Sequence, residues 1–308
     1  MPKNVAILIP CRNESAAIAR VVAEFRAALS DAKIYVYDNN STDTTAEIAR
    51  AAGAIVRAEK LQGKGHVVRR MFADIEADIY VLVDGDGTYD PGAAPAMVAM
   101  LEDQHLDMVT GIRFAAGDQA AYRRFHRSGN ILLTALVRYV FGNRVTDMLS
   151  GYRVFSRRFV KSFPALSSGF ETETELTVHA LALDMPLGEI TVAYGARSEG
   201  SSSKLRTYAD GLRILRRILL LVKDERPGAF FGSIGTILML LGIAAGVPVV
   251  VEFARTGLVP RLPTAVLATG LVLVSCLSFV CGLVLDSVAR GRKEAKRLAY
   301  LRIPRDLL

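Results

Sequence analysis

The sequence contains no tryptophan and only three cysteines, Cys11, Cys276 and Cys281. So few cysteines leave no disulfide framework, and this usage is typical of a reducing compartment. Two familiar nucleotide-binding fingerprints are also missing: no G-x-G-x-x-G follows the first predicted strand, and no G-x-x-x-x-G-K-[ST] occurs in the chain. The apolar stretch near the N-terminus is too short for a signal peptide, so we expect the front of the chain to stay in the cytosol.

Charge is absent from two long segments near the C-terminus. Hydrophobic residues make up 51% of the chain, yet the formal net charge is +7, a combination that points towards a membrane. No charged residue lies in 227–251 or in 262–285. As a helix, either segment is long enough to cross a hydrocarbon core of ~30 Å. We predict two transmembrane spans at these positions, forming a hairpin over 227–289; the alternative is a buried hairpin of a soluble protein.

Basic residues flank this hairpin on both sides. The segment 204–226 spaces apolar residues three and four apart, which predicts an amphipathic helix in the membrane interface; a core-packed helix with a solvated basic face is the alternative. The segment 290–308 is predicted to be a basic cytosolic tail. Under the positive-inside rule both flanks and both termini lie in the cytoplasm, on a multi-pass protein of the cytoplasmic membrane. The basic excess therefore faces anionic lipid and indicates no nucleic-acid partner.

Residues 1–203 alternate apolar, strand-like runs with helical patterns, which predicts one α/β domain with a mostly parallel, Rossmann-like sheet. The runs are rich in Val and Ile on both faces, as expected of a sheet covered on both sides. The predicted strands are 4–10, 33–38, 54–58, 78–84, 106–114 and 188–194. The predicted helices are 14–30, 42–52, 64–76, 91–104, 128–141 and 171–184.

The stretch DGDGTYD follows the fourth predicted strand and carries Asp84 and Asp86. Ligands of open α/β sheets bind at the carboxyl ends of strands. Both carboxylates can aim at one point if Gly85 turns the chain, and hard oxygen ligands in small number suit Mg²⁺ or Mn²⁺ shared with substrate phosphates. Asp-Gly pairs are also common in plain turns, which is the alternative interpretation.

Polar clusters at neighbouring strand ends favour a nucleotide site. The first strand ends in PCRNE and the second in YDNNSTD, while GKG opens the third helix. Asp38 can accept hydrogen bonds from a base or ribose. Gly63 and Gly65 allow close backbone approach, and Lys64 can counter phosphate charge. An ordinary helix N-cap is the alternative for the segment 40–43.

These motifs, in this order, resemble family 2 glycosyltransferases of the A-type fold. The set is PCRNE, YDNNSTDTT, GKG, VDGDGTYD, TGIRF, VTDMLSGYRVFSRR and RSEGSSSK. The resemblance covers about residues 4 to 226, and it is strongest to the polyprenyl-phosphate sugar transferases, the relatives of dolichyl-phosphate mannose synthase. The following hairpin is similar to the membrane spans of bacterial and archaeal members. The resemblance implies inverting transfer from a nucleotide-sugar, UDP before GDP, to undecaprenyl phosphate in cell-envelope glycan biosynthesis.

The resemblance also implies roles for particular residues. Asp84 and Asp86 would form a D-x-D metal site for Mg²⁺ or Mn²⁺, with Asp86 nearest the metal and Asp84 nearer the ribose. Thr88 stands where relatives often place Gln or another polar neighbour of the metal. The residues implied at the nucleotide are Pro10, Arg12, Glu14, Asp38, Lys64, Asp84 and Gly85. The residues implied in catalysis are Asp86, Arg113, Arg197 and Lys204. The residues implied at the acceptor phosphate are Arg123, Arg124 and Arg127, for which a basic surface patch is the alternative.

Several alternatives stay open at this point. The carboxylates of Glu171, Glu173 and Glu175 look like a catalytic cluster, but we interpret them mainly as a helix N-terminus favoured by its dipole. Asp147 and Arg153 are expected to shape the acceptor side. The absence of tryptophan argues against a processive polysaccharide synthase, which carries a Gln-x-x-Arg-Trp motif. Transfer to a glycerolipid, a catalytically silent sugar-nucleotide scaffold and a homo-oligomer all remain compatible with the sequence.

Overall fold

A computed structural model of the protein describes residues 3–114, 145–169, 171–195, 215–216 and 219–304. The chain divides into two compact units. One comprises residues 1–218 together with 296–308, and the other comprises residues 219–295. The predicted helix 128–141 lies outside the described residues, and most of the predicted interfacial helix 204–226 does too. Of the latter, residues 219–225 are helical.

A seven-stranded sheet in the order β3-β2-β1-β4-β6-β5-β7 forms the centre of the larger unit. All neighbouring strands pair in parallel except β6, which is antiparallel to both β4 and β5. The predicted α/β class with a mostly parallel sheet is therefore confirmed. The strands are β1 (Val5–Cys11), β2 (Lys33–Asp38), β3 (Ile55–Ala58), β4 (Ile79–Leu82), β5 (Met108–Phe114), β6 (Arg153–Ser156) and β7 (Leu187–Ala193).

Most of the described helices lie close to the positions that the sequence predicts. They are α1 (Ile18–Ala28), α2 (Thr45–Ala51), α3 (Lys64–Asp74), α4 (Ala94–Asp103), α5 (Arg157–Ser162), α6 (Thr172–Ala182), α7 (Pro227–Thr256) and α8 (Leu262–Leu301). A short 3-10 turn, Pro91–Ala93, precedes α4. The sequence interpretation missed β6 and α5. Strand β6 is only four residues long and begins with an arginine, so it lacks the apolar run by which the other strands were recognised.

The sheet is buried on both faces because successive side chains of a strand point to opposite sides. In β1, Ile7 and Ile9 join one core with α1 and α4, whereas Ala6 and Leu8 join a second core with α3, α5 and α6. This accounts for the Val/Ile-rich, non-alternating strand sequences. The loops at the carboxyl ends of β1, β2 and β4 are thus held on a rigid support.

His179 lies in the second core, on α6. Its ring packs edge-on against Phe159 and Phe163, at centroid distances of 5.5 and 5.4 Å. Burial, together with the positive charge of Lys296, lowers the pKa of His179 to about 3. The imidazole therefore stays neutral in the folded protein at pH values where the unfolded chain binds a proton.

We expect this histidine to make the protein acid-sensitive. Stability is lost as the pH falls below the unfolded value of about 6.5, and by pH 5 the loss amounts to about 2 kcal/mol. His179→Phe should remove that part of the pH dependence in melting curves recorded between pH 8 and pH 5. His105→Asn, at an exposed histidine, serves as the control and should retain it. An unchanged pH dependence in His179→Phe would contradict the assignment.

The smaller unit contains α7 and most of α8, two helices long and apolar enough to cross a membrane by length and composition. Their contact is made by small residues seven apart. Gly235 and Gly242 on α7 meet Ser275 and Ala268 on α8, and the Ser275 hydroxyl donates to the Gly235 carbonyl oxygen at 2.7 Å. Small residues of this kind allow two helices to approach closely.

Helix α8 does not end at residue 285, where the second span was predicted to end, but continues to Leu301. Residues from Lys296 onwards belong to the larger unit. Within that unit the Tyr300 hydroxyl donates to Asp107 at 2.6 Å, and its ring lies under the guanidinium of Arg158. Much of the segment predicted as a basic tail is thus helical, and its end packs on the α/β fold.

Candidate active site

The carboxyl ends of β2, β1 and β4 lie side by side because these strands are neighbours and parallel. Backbone hydrogen bonds join the loops that follow: Asn39 N donates to Cys11 O at 2.8 Å, and Val83 N donates to Leu8 O at 3.1 Å. The sequence motifs PCRNE, YDNNSTD and VDGDGTYD therefore meet at one edge of the sheet, as their positions after the strands predict.

The turn after β4 presents Asp84 and Asp86 at this edge. Oδ1 of Asp86 accepts hydrogen bonds from Thr88 N at 3.1 Å and from Thr88 Oγ1 at 2.7 Å. Gly85 and Asp86 lie in the turn itself, as expected, and the positive φ, 71°, follows at Gly87. A side chain at Gly85 would run into Cys11 Sγ, so that glycine also lets the turn pack against the end of β1.

Lys64, the first residue of α3, lies between two carboxylates. Its Nζ is 2.5 Å from Asp84 Oδ1 and 2.5 Å from Glu173 Oε1. Burial alone would lower the pKa of the Lys64 ammonium, but the Asp84 and Glu173 carboxylates raise it above its ordinary value, so Lys64 is charged. The lysine predicted to counter phosphate charge is thus placed directly beside the D-x-D turn.

The glycines on either side of Lys64 serve a different purpose from the one expected. They were interpreted as making room for a ligand. Instead, a Cβ at Gly63 would overlap the Ser168 carbonyl, and one at Gly65 would overlap the Ser167 carbonyl. The Gly65 amide also donates to Ser168 O at 3.1 Å. The glycines therefore allow the protein's own segment before α6 to lie flat against the start of α3.

Asn39 fixes the loop that leads to Lys64. Its Nδ2 donates to the carbonyl oxygens of Glu59 and Leu61 at 2.9 and 2.8 Å. Its Oδ1 accepts from Gly63 N at 2.7 Å and from Gln62 Nε2 at 2.9 Å. The side chain is buried and uses its full hydrogen-bonding capacity. The sequence interpretation assigned no role to this residue, although its place directly after Asp38 at a strand end could have drawn attention to it.

Asn39→Ala should destabilise the larger unit by about 2–4 kcal/mol, because the Glu59 and Leu61 carbonyls and the Gly63 amide lose their partner inside the protein. Asn40→Gly provides the control: Asn40 makes one side-chain bond, to Lys60 O, and glycine retains its positive φ of 58°. Thermal melting of both variants measures the difference. Equal melting temperatures for the two variants would show that the Asn39 network contributes little.

The nucleotide residues predicted from β1 and β2 lie in the same region. Glu14 is buried, and its amide donates to Thr45 Oγ1 at 2.8 Å. Arg12 is exposed. Asp38 Oδ2 accepts from Ser41 N at 3.2 Å, while Oδ1 is buried and has no hydrogen-bond partner among the described residues. A buried carboxylate oxygen without a partner is costly in the free protein, and a ligand hydroxyl or amide would satisfy it.

Arg113 forms a bidentate ion pair. Its Nε and Nη2 donate to the two carboxylate oxygens of Asp147 at 2.7 and 2.8 Å. Burial would lower the pKa of Arg113, but the bond to Asp147 raises it, so the guanidinium is charged. Thr146 is held in turn by Glu189, which accepts from both its amide and its hydroxyl. The resemblance implies a role in catalysis for Arg113, near the donor phosphates. In the structure its guanidinium is bound to Asp147, and the contact with phosphate stays a prediction.

Arg153, which was expected to shape the acceptor side, is wholly buried. Its guanidinium donates to the carbonyl oxygens of Ser150 and Met148 and to the Thr177 hydroxyl. Burial lowers its pKa. Arg153 therefore holds the loop 147–151 from inside the protein, and this loop carries Asp147 and lies against Asp84 through Gly151.

The three glutamates at the start of α6 differ in their contacts. Glu175 accepts from the amides of Leu166 and Ser167 at 2.9 and 2.7 Å. Glu173 pairs with Lys64. Glu171 Oε2 is buried without a hydrogen-bond partner among the described residues. An interaction with the helix dipole does not account for these contacts. The glutamates therefore do more than stabilise the N-terminus of a helix, which was the main interpretation from the sequence.

The remaining predicted residues fall in parts of the chain outside the described residues. They are Arg197 and Lys204, expected in catalysis, and Arg123, Arg124 and Arg127, expected at the acceptor phosphate.

The residues at the turn after β4 fit a divalent cation that a phosphate helps to hold. Asp84 and Glu173 both lie against the ammonium of Lys64, and Asp86 follows Asp84 in the same turn. Within the ranges that the structure describes, no group of three His, Cys, Asp or Glu side chains could hold a metal ion by itself. Mg²⁺ and Mn²⁺ commonly take one or two carboxylates and complete their coordination with phosphate oxygens and water.

The family described as Glycosyl transferase family 2 matches residues 6–163. Glycosyltransferase AglJ from Haloferax volcanii is 32% identical over 303 residues, covering 97% of this chain and 99% of that protein. A dolichyl-phosphate hexose transferase from the same organism is 26% identical and covers 72% of this chain and 96% of its own length.

Among solved structures, the chain is similar to glucosyl-3-phosphoglycerate synthase from Mycobacterium tuberculosis, in a complex with Mn²⁺ and uridine-diphosphate-glucose. The TM-score is 0.56 at 26% identity, and the alignment covers 71% of this chain and 78% of that one.

Proposed function

Because this chain belongs to glycosyl transferase family 2, with the A-type fold of that family, we propose that it transfers a sugar from a nucleotide-sugar to a polyprenyl phosphate. The donor is a UDP-sugar, with a GDP-sugar as the second choice, and the acceptor is undecaprenyl phosphate. The product is a polyprenyl-monophosphate sugar formed at the cytoplasmic face of the membrane for cell-envelope glycan synthesis.

The observation that carries the acceptor is the pair of long apolar helices, α7 and α8, in the same chain as the catalytic fold. Helices of this kind would keep the enzyme at a bilayer, where a lipid-linked acceptor is located. A polyprenyl chain cannot leave the bilayer cheaply, at about 0.8 kcal/mol per CH₂. An enzyme for such a substrate therefore works at the membrane. The similarity to a dolichyl-phosphate hexose transferase supports the same acceptor class.

Two features support the donor. The similar synthase from Mycobacterium tuberculosis was crystallised with uridine-diphosphate-glucose. In this chain, Asp38 Oδ1 has no hydrogen-bond partner among the described residues and lies at the carboxyl end of β2, where a base or ribose can donate to it. Pro10, Arg12 and Glu14 complete the proposed nucleotide site after β1.

The acceptor's charge determines what the protein must do. A phosphate monoester is already anionic at neutral pH, so its oxygen can attack the anomeric carbon without a general base. The bond from that carbon to the donor diphosphate breaks, the electron pair leaves with the nucleoside diphosphate, and the configuration inverts. When bound, Mg²⁺ or Mn²⁺ would supply Lewis-acid stabilisation of the departing diphosphate, held by Asp86 and Asp84. Lys64 adds a fixed positive charge beside it.

The hairpin and its basic flanks complete the proposal. The spans anchor the enzyme in the cytoplasmic membrane, and the flanks keep the catalytic fold on the cytosolic side next to anionic lipid. Arg123, Arg124 and Arg127 are proposed to bind the acceptor phosphate, and Arg197 and Lys204 to act on the donor or acceptor phosphate.

A transfer assay with detergent-solubilised full-length protein tests the proposal. The reaction contains Mg²⁺ or Mn²⁺, undecaprenyl phosphate and one radiolabelled UDP- or GDP-sugar at a time. A lipid-extractable labelled product that requires both the metal and the phosphate is expected. If the label appears on an added glycerolipid instead, the acceptor is a glycerolipid and not undecaprenyl phosphate. Metal-dependent UDP binding without product from any donor would indicate a silent scaffold.

A further inference from the structure

Lys64 is shared between two carboxylates that come from distant parts of the chain. Asp84 follows β4, and Glu173 lies in the first turn of α6; both are 2.5 Å from the Lys64 ammonium. The two partners differ in exposure: the Asp84 side chain is 33% exposed, whereas that of Glu173 is only 6% exposed. Asp84 can therefore reach a ligand, while Glu173 is enclosed by protein.

The position of Glu173 is fixed by the segment in front of α6. The amide of Gly65 donates to Ser168 O, and Glu175 accepts from the amides of Leu166 and Ser167. These bonds hold the start of α6 against the start of α3. Glu173 consequently meets Lys64 without depending on a flexible loop, and its other oxygen, Oε2, has no hydrogen-bond partner among the described residues.

We propose that Glu173 is a positioning residue that acts through Lys64: by sharing the ammonium, it keeps the Asp84 carboxylate available to a divalent cation. The inference rests on the proposed function, since that function assigns the cation to the Asp84–Asp86 turn. Glu173 lies on α6, far from that turn in sequence, and it contacts Lys64.

The two carboxylates share the single positive charge of the Lys64 ammonium. With both carboxylates ionised, Lys64 cannot fully neutralise either of them, and a cation at Asp84 meets a net negative surrounding. If Glu173 lost its charge, the whole charge of Lys64 would act on Asp84. A divalent ion would then compete with a buried ammonium for that carboxylate, in a place where water screens poorly.

A double-mutant cycle on Mn²⁺ binding tests this. Mn²⁺ is titrated into the full-length, detergent-solubilised protein, with the free Mn²⁺ signal followed by electron paramagnetic resonance. The variants are Glu173→Gln, Lys64→Met and the double variant. Glu173→Gln is expected to raise the Kd for Mn²⁺ about tenfold in the natural background. In the Lys64→Met background the same substitution should raise the Kd less than twofold, because the ammonium through which Glu173 acts is absent.

Two results would overturn the proposal. An equal weakening in both backgrounds would mean that Glu173 acts on the cation directly. No weakening by Glu173→Gln in a protein with the natural melting temperature would mean that it has no effect on the site. Should Glu173→Gln not fold, Lys64→Met decides alone: it should tighten Mn²⁺ binding about threefold or more, and weaker binding would refute the inference. The Mn²⁺ titration contains neither donor sugar nor acceptor lipid. If it gives the expected result while the transfer assay fails, the failure therefore counts against the proposed transfer reaction and not against the role of Glu173.

Discussion

Asp86→Ala is expected to lower sugar transfer by a factor of about 10³ or more and to leave the fold intact. Asp86 is 4% exposed, but its hydrogen bonds with Thr88 are confined to the turn itself. Losing these bonds should cost about 1–2 kcal/mol of stability. Loss of the carboxylate nearest the proposed cation, by contrast, removes the stabilisation of the diphosphate as it departs. Initial rates at saturating metal and donor, beside a melting curve, measure both effects.

Asp90→Asn is the matched control for this variant. It removes a carboxylate from the same DGDGTYD stretch, but Asp90 is exposed. Among the described residues its carboxylate accepts from Gly92 N at the start of the 3-10 turn, a bond that an asparagine oxygen can also accept. Its rate should stay within a factor of about two of the natural protein. If Asp86→Ala retains more than a tenth of the natural rate, the turn after β4 does not hold a cation that the reaction needs. It would then be a plain turn, the alternative that the sequence left open.

The location of the site could be predicted from the sequence because it depends on local patterns. Apolar runs locate the strands, polar residues follow them, and the parallel arrangement brings the strand ends together. Hence the residues at the ends of β1, β2 and β4 meet as expected. Asp84 and Asp86 could be identified without knowing anything about the loops that cover them.

The partners of these side chains could not be predicted in the same way. Lys64 with Glu173, and Arg113 with Asp147, are contacts between segments that only the complete fold brings together. The loop 147–151 reaches Asp84 because β6 runs antiparallel between β4 and β5, and β6 was missed. A fully buried arginine, Arg153, begins that strand, which is opposite to what an apolar pattern would indicate.

The glycines illustrate the same limit. A glycine in a motif can provide a positive φ, space for a ligand or space for the protein itself, and the letter alone does not distinguish these uses. Gly87 has a positive φ, whereas Gly85 in the same turn leaves space for Cys11 Sγ. Gly63 and Gly65 leave space for the carbonyls of Ser167 and Ser168. Gly151, in the middle of VTDMLSGYRVFSRR, leaves space for a side chain of the site.

Gly151→Ala is expected to reduce sugar transfer by about 10²-fold, because a misplacement of about 1 Å at a positioned group can cost that much. A Cβ at this position would overlap the Asp84 carboxylate, and Gly151 does not have a positive φ, so the backbone itself accepts alanine. The strain must then be relieved by moving Asp84, which would disturb its pairing with Lys64. Overpacking of this kind should cost about 1–3 kcal/mol of stability.

Gly195→Ala separates this effect from a general loss of glycine. The Gly195 amide donates a hydrogen bond to Thr88 O, in the turn after β4 that carries Asp84. A Cβ added at Gly195 would lie 3.9 Å from that oxygen, which is an ordinary contact. Its rate should therefore remain near that of the natural protein. In Gly151→Ala, Mn²⁺ affinity should fall together with the rate, because the displaced carboxylate is one of the two proposed cation ligands. A lower rate with unchanged Mn²⁺ affinity would place the damage elsewhere in the loop 147–151, with Asp147 and its partner Arg113 as the next residues to test.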